Sequence, residues 1–493
     1  MIDIVLINLN RINKVGIFTL ASYCRSKSLK VKIIDGCYEG ILSKFKELND
    51  QHQILAVGLT ATTDAIEAVI KLGAKLKQIN PNLFLISGGY HSTILPKETL
   101  GNSDFDIAVV REGEITLAEI LFKLKKGVFP TKEPGCYEKI DHQLIFNDYR
   151  SFVAELDSLP YPAYDLVDIK KYFHAIRKEG GLEKVIVLLI SRGCPFDCVF
   201  CGSKNMWCRQ FRMYSVDYVI KLVNQLIGEY DIDGISFLDD ELVTNRKYIS
   251  QLCNRFISEG ISRKIKWSCH SRVSSINLEV LEKMKQAGCI LIRFGLESGS
   301  ENILSYLKKN TVKTTQAYEA ISLCKKVGIP CFGSFILGSP DETVDDVLKT
   351  IDFIQNSGLS SADIFSLVPY PGTDIYQFAQ KHNLIKKDIQ WKDFKIEGDQ
   401  THSVLNTFHF TAQQIDQIRS YIDLNIIDRL NNGLAFKRLN HREEIGKILK
   451  GNLSKTEFSW QGRQIIKLRK ILRKIKKAIF HPGLVIKWAQ QKI

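Results

Sequence analysis

KVIVLLISRGCPFDCVFC, residues 184–201, opens as a β-branched apolar run and closes on three cysteines. The run predicts a buried strand, and Cys194, Cys198 and Cys201 follow it with the spacing C-x3-C-x2-C. Three thiolates on one short loop suit three corners of an iron–sulfur cube, whereas a closed cluster takes four. A missing fourth ligand leaves one iron open, and an open metal position is where a small molecule binds. The alternative is a structural zinc site completed by Cys208 or a nearby histidine. Zinc sites mostly use paired C-x2-C units, and no second pair exists here.

Outward from this stretch the chain alternates strands and helices. KVIVLLIS, GISFLDD, IKWSCHS, CILIRFGLES, PCFGSFILG and ADIFSLVPY are strand candidates, separated by amphipathic patterns such as VDYVIKLVNQLIGEY and NLEVLEKMKQAG. A short helix, ENILSYLKKN, follows the fourth strand. Consecutive βα units of this kind predict a partial (βα)6 barrel over 184–385. Upstream, DIVLINL, KVKIIDG, ILAVGL, LFLISGG and FDIAVV alternate with helical patterns, which predicts an α/β doubly wound parallel sheet of Rossmann-like type over 1–135. Residues 136–183 lose the rhythm and contain DSLPYPAYD, so a linker is expected there. Basic helices are expected over 386–493.

Composition sets the limits. Of 493 residues 45% are hydrophobic and 25% charged, the balance of a folded chain long enough for about three domains. The longest apolar run, VIVLLI, falls far short of the about 20 residues of a membrane span. MIDIVLINLN has an acid at position 3 and no basic n-region, so it reads as a first strand and not a signal peptide. A cytoplasmic chain is expected, whose twelve cysteines are core residues or ligands and not bridges. The net charge of +14 is uneven: residues 441–493 hold fourteen Lys/Arg against three Glu. Within them, RQIIKLRKILRKIKKAIF (463–480) puts Leu468, Ile471, Leu472, Ile475 and Ile479 on one helical face and basic residues opposite. Such a helix suits peripheral contact with an anionic membrane at its inner face, or packing on the barrel with solvated lysines. Nucleic acid is disfavoured, because aromatic residues for base stacking are not interleaved.

CPFDCVFC, with Phe200 before the last cysteine, resembles the signature of the radical S-adenosylmethionine superfamily. The resemblance implies a 4Fe-4S cluster on Cys194, Cys198 and Cys201. Its open iron would chelate S-adenosylmethionine, which an electron cleaves to a 5′-deoxyadenosyl radical. FLDDE (237–241) is similar to the segment near the methionine amino group, implying Asp239, Asp240 or Glu241. WSCHSRV (267–273) carries Arg272, in the place of an arginine that pairs with the methionine carboxylate. FGLESGS (294–300) carries Glu297, implied at the ribose hydroxyls. FILGSPDET (335–343), with Gly338, and PYPGT (369–373) resemble closing motifs whose backbone lies along the adenine.

Doubly wound sheets bind ligands at the C-terminal ends of their strands, where the first domain places GLTATT (58–63), GGYHST (88–93) and REGEIT (111–116). Their order resembles the cobalamin-binding domain that precedes many radical S-adenosylmethionine enzymes. The resemblance implies Gly88 and Gly89 beside the cofactor's nucleotide tail, Thr60 and Thr62 as hydroxyl donors to it, and Glu112 and Glu114 in a G-E-G-E-like turn where Arg111 replaces the first glycine. Two features depart from the family. The D-x-H-x-x-G loop is NLNRINKVG, so cobalt would lack a protein imidazole, and the usual N-P-P is absent. His91 is expected as a capping or cofactor-tail residue. No G-x-G-x-x-G follows the first strand, which disfavours a dinucleotide.

The implied activity is a cobalamin-dependent methyltransferase acting on an unactivated carbon of a small or lipid-like substrate. An oxidative cyclase or rearrangement enzyme with the same cofactors, like the anaerobic porphyrin-ring cyclase, is the second reading. Either would draw electrons from a flavodoxin- or ferredoxin-type donor. A non-catalytic carrier is disfavoured, because it needs a closed four-ligand cluster and no array of polar strand ends.

Overall fold

A computed structural model describes residues 1–9, 15–141, 143–395 and 402–451. The basic segment 463–480 lies outside them. Apolar runs become two seven-stranded sheets. In the first, β1 (Ile2–Leu9), β2 (Val31–Gly36), β3 (Ile54–Thr60), β4 (Phe84–Gly88) and β5 (Ile107–Val109) are parallel in the order β2-β1-β3-β4-β5. Every residue of β1 is buried, as a central strand covered on both faces requires.

Residues 136–183, expected as a linker, contain more structure than the sequence suggests. β6 (Cys136–Ile140) and β7 (Gln143–Phe146) form an antiparallel hairpin that extends the first sheet past β5. The short helical turns between Leu156 and Tyr172 then stitch the two halves together. The Phe18 ring lies 5.2 Å from both Tyr164 and Tyr172, and the Tyr161 ring 4.7 Å from Tyr218. One continuous apolar core therefore runs from Ile4 and Phe18 in the first half to Ile186 and Leu188 in the second. β8 (His174–Ile176) already belongs to the second sheet, as its antiparallel edge.

That sheet continues with β9 (Leu182–Leu188). A two-stranded ribbon of β10 (Ser191–Arg192) and β11 (Arg212–Met213) follows, then β12 (Gly234–Phe237), β13 (Lys266–Ser271), β14 (Cys289–Glu297), β15 (Cys331–Leu337) and β16 (Ser361–Ser366). Six strands are parallel in the order β16-β15-β14-β13-β12-β9, the half-barrel that the βα rhythm predicts. After it, an isolated bridge joins Ile385 to Leu405, and helices Ala412–Ile422 and His441–Leu449 pack against the barrel. Among the described residues no helix is long and apolar enough to cross a membrane.

Candidate active site

The cysteine loop leaves β10 at the mouth of the half-barrel. Cys198 is buried and Cys194 and Cys201 partly so. Burial pushes the Cys194 thiol up to about 12 and Cys201 to about 11, so a thiolate there needs a compensating positive charge, which a metal would supply. Cys208 is not a fourth member: it is exposed and caps the helix Ser203–Trp207 in left-handed backbone. Among the described residues no three His, Cys, Asp or Glu side chains converge on a single ion. Ligands of separate cube corners need not, so the donor set fits a cube better than zinc. Asp197, inside the loop, is held by Lys204 at 2.9 Å and Lys309 at 2.6 Å, and both lysines also reach Asp374.

Around this loop the ends of β12, β13 and β14 contribute polar side chains. Arg272, just past β13, is buried. Its Nη1 lies 3.8 Å from Cys198 Sγ, its guanidinium stacks 3.8 Å over the Phe196 ring, and its Nη2 donates to Thr311. Arg272 Nε is buried without a partner among the described residues. Glu297 ends β14 at a bulge with φ +62°, a strained conformation for a non-glycine residue. Its carboxylate meets Lys308 at 2.7 Å, both being almost fully buried. Burial acts to lower the Lys308 pKa, but Glu297 and the nearby Cys198 sulfur outweigh it and raise it.

The FLDDE residues diverge. Asp239 Oδ1 accepts from Ile190 N at 2.9 Å, Ser191 N at 2.5 Å and Ser191 Oγ at 2.6 Å. Burial nonetheless lifts its carboxyl to about 7, and Oδ2 is buried without a partner among the described residues. Asp240 accepts from Ser203 Oγ, and burial raises its pKa. Glu241 is buried with Oε1 unpartnered among the described residues. Phe200 packs with Leu367 and Ile375 on one side and Ile303 and Leu307 on the other. Gly338 has φ +99° and faces Ile415, while its N–H donates to Glu342, whose carboxyl burial lifts to about 8.

A cavity of about 310 Å³ lies between the two sheets. Thr60, Gly88, Gly89, Glu112 and Glu114 line it from the first half, and Ser191, Arg192, Asp239 and Asp240 from the second. Glu112 and Glu114 line the cavity and are engaged by arginines of the second half. Arg192 bridges them at 2.5 and 2.6 Å, and Arg212 meets Glu112 at 3.0 Å. Burial would raise the Glu112 carboxyl, but Arg192, Arg212 and the Val153 amide hold it below its usual value. Thr62 does not line the cavity, because its hydroxyl donates to Asp64 at 2.7 Å. His91 neither caps nor reaches the cavity. It is buried edge-on to Trp391, ring centroids 5.4 Å apart, and neither ring nitrogen has a partner among the described residues.

Two predictions arise from the first half. A Cβ on Gly89 would fall 2.6 Å from Thr60 Oγ1 and 2.9 Å from Ala61 O, at φ +91°. One on Gly88 would meet nothing closer than Val109 O at 3.9 Å. Gly89→Ala should therefore lower stability by about 2–3 kcal/mol in denaturant titrations. Gly88→Ala should leave the fold intact and weaken corrinoid binding about tenfold, because only a ligand needs that space. His91 gives a pH signature. Burial lowers its pKa to about 4 against 6.5 unfolded, so the unfolded chain binds the extra proton between those values. Stability contributed by neutral His91 is complete above pH 6.5 and falls on acidification. Cofactor-free His91→Phe should lose about 2–3 kcal/mol less than the unsubstituted protein between pH 7 and 4.5.

The sequence reading missed Arg192, Ser191 and Lys308. Arg192 stands in the quoted R-G-C and could have been weighed there. Nothing in ENILSYLKKN marks Lys308 as buried.

Comparison with known proteins converges on the same two halves. The radical SAM superfamily model matches residues 188–354, and the B12 binding domain model matches residues 8–121. The chain is 34% identical to the uncharacterized methyltransferase PH0819 of Pyrococcus horikoshii, over 83% of this chain and 86% of that protein. It is 25% identical to the anaerobic magnesium-protoporphyrin IX monomethyl ester cyclase of Rubrivivax gelatinosus, over 65% of this chain and 58% of the cyclase. Its fold is that of the radical S-adenosylmethionine methyltransferase TsrM from Kitasatospora setae, solved with cobalamin and a [4Fe-4S] cluster. The TM-score is 0.68 at 13% identity, covering 92% of this chain and 99% of that one. With a B12-binding half, a radical half and this full-length relative, the chain belongs to the cobalamin-dependent radical S-adenosylmethionine enzymes.

Proposed function

We propose that this enzyme methylates an unactivated carbon of a small-molecule substrate, with cobalamin in the cavity between the sheets and a 4Fe-4S cluster on the cysteine loop. The observation that carries the reading is that one cavity is lined jointly by the glycine and glutamate loops of the first half and by Ser191, Arg192, Asp239 and Asp240 beside the cysteines. When bound, the cluster with S-adenosylmethionine supplies a hydrogen-abstracting radical, and cobalamin supplies the methyl group.

The chain's own residues do the rest. Cys194, Cys198 and Cys201 would hold the cluster, with no fourth cysteine in the loop to close it. Arg272, buried beside Cys198 with Nε unpartnered, receives the carboxylate of S-adenosylmethionine, for which a guanidinium fork is suited. Asp239, whose carboxyl burial lifts to about 7, is about half protonated at neutral pH and so brings less negative charge to the cavity than an ordinary aspartate. Gly88 leaves room for the cofactor tail, and Thr60 lines the same wall. Glu297, held by Lys308, is placed for the ribose hydroxyls. The electron donor is of flavodoxin or ferredoxin type. A lipid-like substrate and peripheral membrane contact rest on the composition of 463–480 alone.

The test incubates anaerobically reconstituted enzyme with reductant, S-adenosylmethionine and candidate substrates. Methyl transfer yields 5′-deoxyadenosine, S-adenosylhomocysteine and a product heavier by one methylene. Cyclisation yields 5′-deoxyadenosine without S-adenosylhomocysteine, and a carrier yields neither.

A further inference from the structure

The cysteine loop is fastened at both ends to the first half, and each connection is one residue long. At its start, Arg192 is separated from Cys194 only by Gly193. Gly193 has no slack: a Cβ there would stand 1.9 Å from the Gln210 carbonyl oxygen, and its φ is +89°. Arg192 also pairs with Arg212 in the β10–β11 ribbon, so its backbone is set from both sides. Its guanidinium grips Glu112 and Glu114, in the loop after β5, with side chains only 12%, 7% and 5% exposed. At the other end, Gly202 follows Cys201 directly and lies flat against Tyr90. A Cβ on Gly202 would fall 2.4 Å from the Tyr90 hydroxyl oxygen. Tyr90 itself follows Gly89 after β4 and opens the short helix Tyr90–Ile94, and its hydroxyl donates to Pro371 O at 3.0 Å.

Two attachments at opposite ends of an eight-residue loop fix its orientation as well as its distance. The Asp197–Lys204–Lys309–Asp374 ring holds the same loop to the half-barrel, and these two attachments add its register to the first half. Both arrive from loops that line the cavity, and methyl and hydrogen transfer are sensitive to displacements of about 1 Å. We propose that Arg192 and Tyr90 are positioning residues that lock the cysteine loop to the two cavity loops and so set the separation and angle between cluster and cobalt. The inference rests on the assignment of those two cofactors to these loops. Arg25–Asp165, with side chains 44% and 56% exposed, touches neither the cysteine loop nor the cavity and serves as the control pair.

Pulsed dipolar electron paramagnetic resonance between the reduced cluster and cob(II)alamin in the full chain reads that geometry without reference to turnover. The unsubstituted protein and Arg25→Ala should give one narrow distance distribution. Arg192→Lys, which keeps the charge but not the fork, and Tyr90→Leu, which removes the wedge, should broaden or displace it. Distributions in both variants identical to the unsubstituted protein overturn the proposal. Hydrogen exchange on cofactor-free protein is the second measurement. Amides of residues 193–202 should exchange about tenfold faster in both variants, and unchanged exchange overturns the proposal equally. Failure of the unsubstituted protein to take up iron or corrinoid refutes the cofactor assignment instead, and the exchange result still decides the clamp.

Discussion

Cys198→Ala will abolish the visible iron–sulfur absorption band and take bound iron from about four per chain to none, while Cys208→Ala will change neither. The expectation follows from where the sulfurs are. Cys198 is the buried member of the trio, in contact with Arg272 and next to Val199, whose amide donates to Leu307 O at 3.0 Å. The other described thiols lie outside the loop: Cys208 is exposed at the C-terminal cap of the helix Ser203–Trp207, Cys37 is exposed in the first half, and the cysteines at 24, 136, 253, 269, 289, 324 and 331 are buried core residues. Loss of the band should leave the fold in place, because the loop is also held by the Asp197–Lys204–Lys309–Asp374 ring. Far-ultraviolet dichroism of the variant should match the parent. Retention of the band in Cys198→Ala would mean that the cluster is held elsewhere.

Lys308→Met should be among the most destabilising single substitutions in the half-barrel, lowering stability by about 3–5 kcal/mol. The Glu297 and Lys308 side chains are only 7% and 8% exposed, so removing the ammonium strands a carboxylate in protein interior. The double variant Lys308→Met/Glu297→Gln should recover much of the loss, since it removes both charges together. Denaturant titrations of the single and double variants measure this. A loss under about 1 kcal/mol in the single variant would mean that water reaches the pair. The pair also keeps Glu297 oriented in its strained backbone, so affinity for S-adenosylmethionine should fall in the single variant and return only in part with Gln.

The sheets were legible because their central strands are continuous apolar runs with few alternatives: β1 to β5 and the six parallel strands of the half-barrel lie where those runs are. β6 and β7 were not legible. CYEKI and QLIF are short edge strands whose residues alternate between buried and open, a signal too weak to stand out from a proline-containing linker. The cysteine loop stood out because cluster chemistry dictates residue type and spacing, whereas Arg272 was marked only by the resemblance of WSCHSRV to the superfamily's strand. The glutamates at 112 and 114 could be placed at the cavity but not oriented, because their partner Arg192 arrives from about eighty residues away. Thr62 illustrates the same limit at short range: a hydroxyl two residues before an aspartate forms its own turn before any ligand can claim it.

The most direct test of the account is a metal and corrinoid count on protein purified without oxygen and reconstituted with iron, sulfide and cobalamin. The account predicts about four irons and one tightly held corrinoid per chain, with overlapping iron–sulfur and corrinoid absorption. Four irons without corrinoid would contradict the role given to the cavity between the sheets. A single metal with no charge-transfer band would contradict the cluster itself.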